Sequence, residues 1–207
     1  TSGDFQFNIS PYLTVSNDFI VIEPEGVELT IRGAFPVWEF RAVDAIFKGV
    51  DIDLSYTPTK GILLNSNTSW IEANETKSGE PLISIPPLSI KNSVVVSPGR
   101  WENFSFEVNS KHVFRQNKYP NHNFDIDIVE DGQYITKTID ISTALPGYHL
   151  IGANLKWGPY AFLSSKVSIS LSVDNLFDTS YRSYLNRLRY YADEQGRNVF
   201  LQIKFNY

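Results

Sequence analysis

Arg197-Asn-Val-Phe-Leu-Gln-Ile-Lys-Phe-Asn-Tyr207 closes the sequence with a strict period of two. Val199, Leu201, Ile203, Phe205 and Tyr207 fall on one face of a strand, and Asn198, Gln202, Lys204 and Asn206 on the other. Phe200 is the exception. Residues 166–174 repeat the pattern, with Val167, Ile169, Leu171 and Val173 alternating with Ser168, Ser170, Ser172 and Asp174. Residues 49–56 do so again, setting Val50, Ile52, Leu54 and Tyr56 against Gly49, Asp51, Asp53 and Ser55. Further strands are expected near residues 5–22, 62–73, 89–96, 104–115 and 148–157, which makes about eight. The one helical spacing is at residues 181–191, where Tyr184, Leu185, Leu188 and Tyr191 recur among arginines.

The connections follow a rule. Residues 57–61, 97–100 and 158–161 are tight and contain Pro and Gly or Pro alone with Gly beside it. Residues 23–35, 74–88, 117–147 and 178–196 read as long loops. Short turns that alternate with long loops are the pattern of a transmembrane antiparallel β-barrel. Aromatic residues make up 14% of the 207 residues. Tyr56, Trp101, Trp157, Tyr160 and Tyr207 lie near the tight turns, while Trp38, Phe40, Trp70, Phe114 and Tyr148 lie near the opposite strand ends. Two such bands read as interfacial girdles. Lys48 and His112 share faces with apolar residues and are expected near an interface, because charge at the bilayer midplane costs about 2–4 kcal/mol. Pro11 predicts a bulge in the first strand.

Composition narrows the functions. Lys and Arg total 18 against 23 Asp and Glu, a net charge of −5, which argues against a nucleic-acid partner. Cysteine is absent, so thiolate chemistry, disulfides and iron–sulfur clusters are excluded. Methionine is absent too, which predicts that the chain lacks its natural beginning. No Gly-rich phosphate loop, nucleophile elbow or triad spacing is visible, and no cofactor or enzymatic activity is expected. His122 shares the long loop with Asp125 and Asp127, residue types that bind zinc or another divalent cation. A solvated acidic loop is the plainer reading of the same residues. Arg182, Arg187, Arg189 and Arg197 suit either an anionic chelate or lipopolysaccharide phosphates, or salt bridges to Asp178, Asp193 and Glu194.

Asn175-Leu176-Phe177-Asp178, followed by Tyr181, then Gly196-Arg197 and a final aromatic strand, resembles the C-terminus of TonB-dependent outer-membrane receptors. Residues 29–40, followed by Asp44-Ala45 and a Lys-Gly-Val-Asp strand, are similar to members of that family from Bacteroidota. The resemblance implies a barrel of about 22 strands filled by a plug domain. This chain, residues 1–207, would supply about eight C-terminal strands, with the plug and the earlier strands outside it. The implied function is TonB-dependent uptake of a scarce metal complex, whether ferric siderophore, haem or zinc, across the Gram-negative outer membrane. The implied partners are the rest of the barrel and plug, TonB through the plug, lipid and lipopolysaccharide, and the barrel-assembly machinery. That machinery would read Leu201, Ile203, Phe205 and Tyr207. The alternative is a self-contained eight-stranded outer-membrane barrel with an adhesive or enzymatic role.

Overall fold

The computed structural model describes residues 3–101, 103–139, 142, 144–162 and 165–206. Eight strands form one antiparallel sheet in the order β1 (Asp4–Thr30), β2 (Gly33–Thr59), β3 (Ile62–Glu75), β4 (Ser89–Val96), β5 (Phe104–Val113), β8 (Tyr148–Phe162), β9 (Ser165–Asp174) and β10 (Asn198–Asn206). Two more strands, β6 (Phe124–Glu130) and β7 (Gln133–Ile139), pair only with each other, inside the β5–β8 connection. Every neighbour in the main sheet is a sequence neighbour once that hairpin is set aside.

Cross-strand register converts the period of two into two uniform faces. Leu64, Val94, Val108, Ala153, Val173 and Val199 stand in one transverse row. On the opposite face, three positions along, runs the row Asn8, Asp53, Asn67, Lys91 and Lys111, which ends on Leu150. Asn67 Nδ2 donates to Asp53 Oδ1 at 2.5 Å, and Asn8 reaches the other oxygen at 3.5 Å. The apolar face is uncovered: Phe7 is 56% exposed and Leu201 67%. Buried apolar residues lie elsewhere. Val21, Val43, Ala45, Ala73 and Leu82 cluster where residues 76–88 fold against β1–β3, with Phe47 and Ile85 packed on them. A sheet with one polar face, one uncovered apolar face and its buried cluster at one end is built for an apolar solvent, not for a water-facing sandwich core.

Several expectations are corrected. Residues 23–35 are not a loop. β1 and β2 each run for 27 residues, and their ladder continues to Thr30↔Gly33. β3 leaves β2 at Ala45↔Glu75, so in the distal half, the arm, β1 and β2 pair only with each other. The arm turns at Ile31-Arg32, where Thr30 Oγ1 accepts from the Arg32 amide at 3.1 Å. Pro11 causes no bulge. It pairs in continuous register with Val50 on an edge strand, where the missing amide proton has no partner to lose. The bulges fall at Ser16/Phe19 and Pro24/Gly26 instead. Trp70 stands on the apolar face near its upper end, but Trp38 and Phe40 belong to the arm, and Tyr148 is on the polar face, stacked on Tyr181 at 4.4 Å.

The expected helix at 181–191 is a single turn, Arg187–Tyr190. Helical pairing needs the Leu188 amide to reach the Tyr184 carbonyl. Here Asn186 Oδ1 takes that amide at 2.9 Å, and Arg189 Nη1 takes that carbonyl at 2.5 Å.

A self-contained barrel needs β1 to pair with β10. They are the two edges of an open sheet. Each edge carries unpaired backbone groups, which cost several kcal/mol apiece in lipid. Residues 1–207 refolded alone in detergent are therefore expected to give no heat-modifiable monomer on a gel.

Candidate functional site

Both ends of the sheet are defined by its connections. At the tight-turn end, aromatic rings gather on the apolar face. Trp157 Nε1 donates to Tyr160 Oη at 2.6 Å, Trp101 meets Phe104 edge-on at 5.1 Å, and Phe5 meets Tyr56 at 6.3 Å. The Trp and Tyr rings among them are amphipathic, with one apolar and one wet side.

At the other end the long connections converge, and here the polar chemistry is concentrated. Arg41 on β2 is the hub. Its Nε donates to Glu23 on β1, and its Nη1 lies 3.2 Å from Glu75 Oε1 at the end of β3. Glu75 also accepts from Ser78 at 2.8 Å, which ties in residues 76–88. The His122 ring arrives from the β5–β8 connection, with Nε2 3.6 Å from Glu23 Oε2. Together with Glu80 and Asn121 these side chains line a cleft of about 310 Å³. A second ion cluster lies beside it: Glu72, 8% exposed, receives Lys48 at 3.3 Å and Lys118 at 2.5 Å. Lys48 thus has its charge paired across strands, on the same face as Val50 and Trp70.

His122 sits in a tight balance. Burial pushes its pKa below the ordinary value, the Glu23 carboxylate pulls it up, and the Arg41 guanidinium pushes it down. The net direction is down. The docked loop thus binds fewer protons than the released one, so docking is complete above about pH 6.5 and weakens as pH falls below it. Hydrogen exchange of residues 117–123 is expected to be faster at about pH 5 than at about pH 7.5, and a His122→Gln variant to lose most of that difference.

The structure separates the expected metal ligands. Asp125 and Asp127 lie on β6, where they accept from Thr138 at 2.7 Å and Thr136 at 2.8 Å across the hairpin. His122 faces Glu23 on β1 instead. Among the described residues no group of three or more His, Asp or Glu side chains could hold a metal ion. Cross-strand pairing of β6 with β7 is the physical reason, because it fixes both carboxylates on one hairpin face.

The arginines divide in the same way. Arg182 Nε pairs with Asp193 at 2.6 Å. Arg189, 4% exposed, is stacked between Tyr184 and Tyr190, each ring centroid 4.7 Å away, and donates to Tyr190 Oη at 2.7 Å. Arg187 lies over the Trp38 ring at 5.7 Å, and Trp38 also meets Tyr190 at 6.4 Å. The β1–β2 arm therefore leans onto the β9–β10 connection, a contact that joins opposite ends of the sheet order.

The C-terminal motif has a structural task. Asn175 is 5% exposed, with φ of 49°. Its side chain accepts from the Thr179 amide and donates to the Thr179 carbonyl, both at 2.9 Å. The Leu176 amide donates to the Ile151 carbonyl at 2.8 Å, while Phe177 is 71% exposed. Asp178, φ 56°, accepts from the Arg197 amide at 2.7 Å, and a Cβ on Gly196 would stand 2.5 Å from its carboxylate. Tyr181 accepts at its carbonyl from the Glu194 amide at 2.8 Å. Together these bonds close the root of the β9–β10 connection. Leu201, Ile203 and Phe205 lie on the apolar face of β10; Tyr207 lies outside the described residues.

The TonB dependent receptor-like, beta-barrel family matches residues 1–176. No curated protein sequence matches the chain. Among solved structures, the copper transporter OprC superposes with a TM-score of 0.71 at 20% identity, over 98% of this chain and 29% of its own. The siderophore receptor PirA from Acinetobacter baumannii superposes with a TM-score of 0.60 at 16% identity, over 98% of this chain and 30% of its own. The chain thus spans under a third of either structure, and at these identities the likeness concerns the fold. The family match over 176 residues and the open, two-faced sheet agree: the chain belongs to the TonB dependent receptor-like β-barrel family.

Proposed function

We propose that this chain forms C-terminal wall of a TonB-dependent outer-membrane receptor that imports a scarce metal complex. The observation that carries the reading is the pair of uniform faces, with tight aromatic turns at one end and interlocked long connections at the other. On this reading the apolar face meets lipid and the polar face lines a wet lumen against a plug domain. The tight turns lie in the periplasm. The arm and residues 76–88, 114–147 and 175–197 face outward and capture ligand. Energy comes from TonB acting on the plug, so the chain needs no catalytic group. The names of the two structural relatives, a copper transporter and a siderophore receptor, favour a metal complex as cargo; ferric siderophore, haem and zinc are the classes to try alongside copper. The test is a deletion strain grown under iron, haem, zinc and copper limitation, with uptake of each labelled complex measured with and without TonB. TonB-dependent loss of one uptake, restored by the gene, is the expected result. Unchanged uptake of all four would refute the reading.

A further inference from the structure

Two histidines that the transport reading does not use stand directly opposite each other. His112 on β5 pairs in register with His149 on β8, and their Nδ1 atoms face each other at 3.4 Å. Both share the apolar face with Phe106, Val108 and Leu155, so the pair is on the outside of the wall, not in the lumen. Phe114 closes one side, its ring 4.4 Å from that of His112 and nearly perpendicular to it. Lys111, the β5 neighbour of His112, belongs to the other face by alternation.

The distance is informative. N–H donors approach their acceptors at about 2.7–3.2 Å, so 3.4 Å is long for one imidazole donating to the other. Two nitrogens bound to one tetrahedral zinc at about 2.0–2.1 Å stand about 3.3–3.4 Å apart. From these observations we propose that His112 and His149 form a two-imidazole clip for a divalent transition cation of the zinc, nickel or copper class, with water in the other positions. Imidazole is the ligand type these ions select over magnesium and calcium. Height supports access to water. His149 is eight positions from Trp157, which pairs with Phe104 in the aromatic band of the tight-turn end. Eight residues at about 3.3 Å, tilted by about 40°, rise about 20 Å, close to the far margin of an apolar band about 25 Å tall.

The clip would join the two strands that flank the longest connection, residues 114–147. A cation bound there ties the root of that connection, and it does so whether or not the receptor's cargo is a metal. The experiment uses the full-length receptor in detergent, titrated with Zn²⁺ alone by calorimetry, with Mg²⁺ as the oxygen-preferring control. His112→Asn and His149→Asn are each expected to weaken one Zn²⁺ equivalent by about tenfold or more, since even losing an outer-shell partner costs that much. The double variant should lose that equivalent, while His122→Asn should keep it. Cu²⁺ bound to the parent should show two-nitrogen ligation in its electron paramagnetic resonance spectrum, a readout independent of any variant. Zn²⁺ should also raise the heat-modification temperature of the parent and leave that of the double variant unchanged. An unaltered Zn²⁺ equivalent in the double variant, or none in the parent, would overturn the proposal.

Discussion

Asn175→Ala is expected to cost the receptor about 2–4 kcal/mol at the root of the β9–β10 connection. The side chain is 5% exposed and satisfies both backbone groups of Thr179. Removing it leaves the half-buried amide and carbonyl of Thr179 without their partners, at about 0.5–1.5 kcal/mol each. Alanine must also hold φ at 49°, the left-handed region that asparagine tolerates better, for about 1 kcal/mol more. The loss does not stay local. The Leu176 amide anchors the motif to β8 through Ile151, and Asp178 holds the Arg197 amide where β10 begins. Loosening that root frees β10 to slip or fray, and β10 is an edge of this sheet. Heat-modification of the purified receptor and the amount recovered in outer membranes both read the effect. Asn175→Gly isolates the conformational part. It loses both hydrogen bonds but relaxes the backbone, so it should be milder than alanine by about 1 kcal/mol. Alanine and parent receptors that melt together would show that the turn is held by something other than Asn175.

Much of the sheet was legible because alternation is a local signal and the two faces differ in chemistry along most strands. Residues 89–96 were bounded as found, since Ile90, Val94 and Val96 alternate with Lys91 and Ser93 between proline-bearing connections. The β6–β7 hairpin left a readable signal that length obscured. Asp131-Gly132, with φ of 52° and 77°, is the two-residue turn that hairpins favour, and Ile126, Ile128 and Ile135 share one face against Asp125, Asp127, Thr136 and Thr138 on the other. The 117–147 span reads as one loop because each strand of the hairpin is only seven residues long and carries Asp or Lys among its apolar positions. The distal arm was hidden differently. Its bulges at Ser16/Phe19 and Pro24/Gly26 break the alternation twice, so no single period runs through β1. The site was legible only in single residues, such as His122 and the arginines that have Asp193 within reach, and not in its pairings. Trp38 against Tyr190, and Glu23 against His122, are contacts between residues far apart in the chain, made where the arm leans over the other connections. Nothing local in Val37-Trp38-Glu39 specifies Tyr190 as a neighbour. The arginines show the same limit, because spacing cannot tell Arg182, paired at the surface, from Arg189, buried between two tyrosines.

Arg41→Glu is expected to undo the cluster that holds the outer connections together. The guanidinium bridges Glu23 and Glu75, whose side chains are 16% and 15% exposed, while its own is 46% exposed. Reversal puts four carboxylates around one cleft, the new one beside those of Glu23, Glu75 and Glu80. Solvent screens part of that repulsion, so the expected loss of local docking is about 1–2 kcal/mol, roughly tenfold faster hydrogen exchange in residues 76–88 and 117–123. The sheet and the Asn175 turn are remote from this charge, so the amount of assembled receptor should match the parent. Arg41→Lys should fall between the two, because an ammonium keeps the charge but cannot fork to both carboxylates. The pH response gives the sharper test. In the parent, burial and Arg41 together hold the His122 pKa down against Glu23, and acid loosens the loop. With a carboxylate at position 41, one downward cause becomes an upward one. The docked state then binds a proton more readily than before, so lowering the pH from about 7.5 to about 5 should loosen residues 117–123 less than in the parent, or tighten them. A variant whose exchange rates and acid response both equal those of the parent would show that Arg41 does not hold the connections and that His122 answers to burial alone.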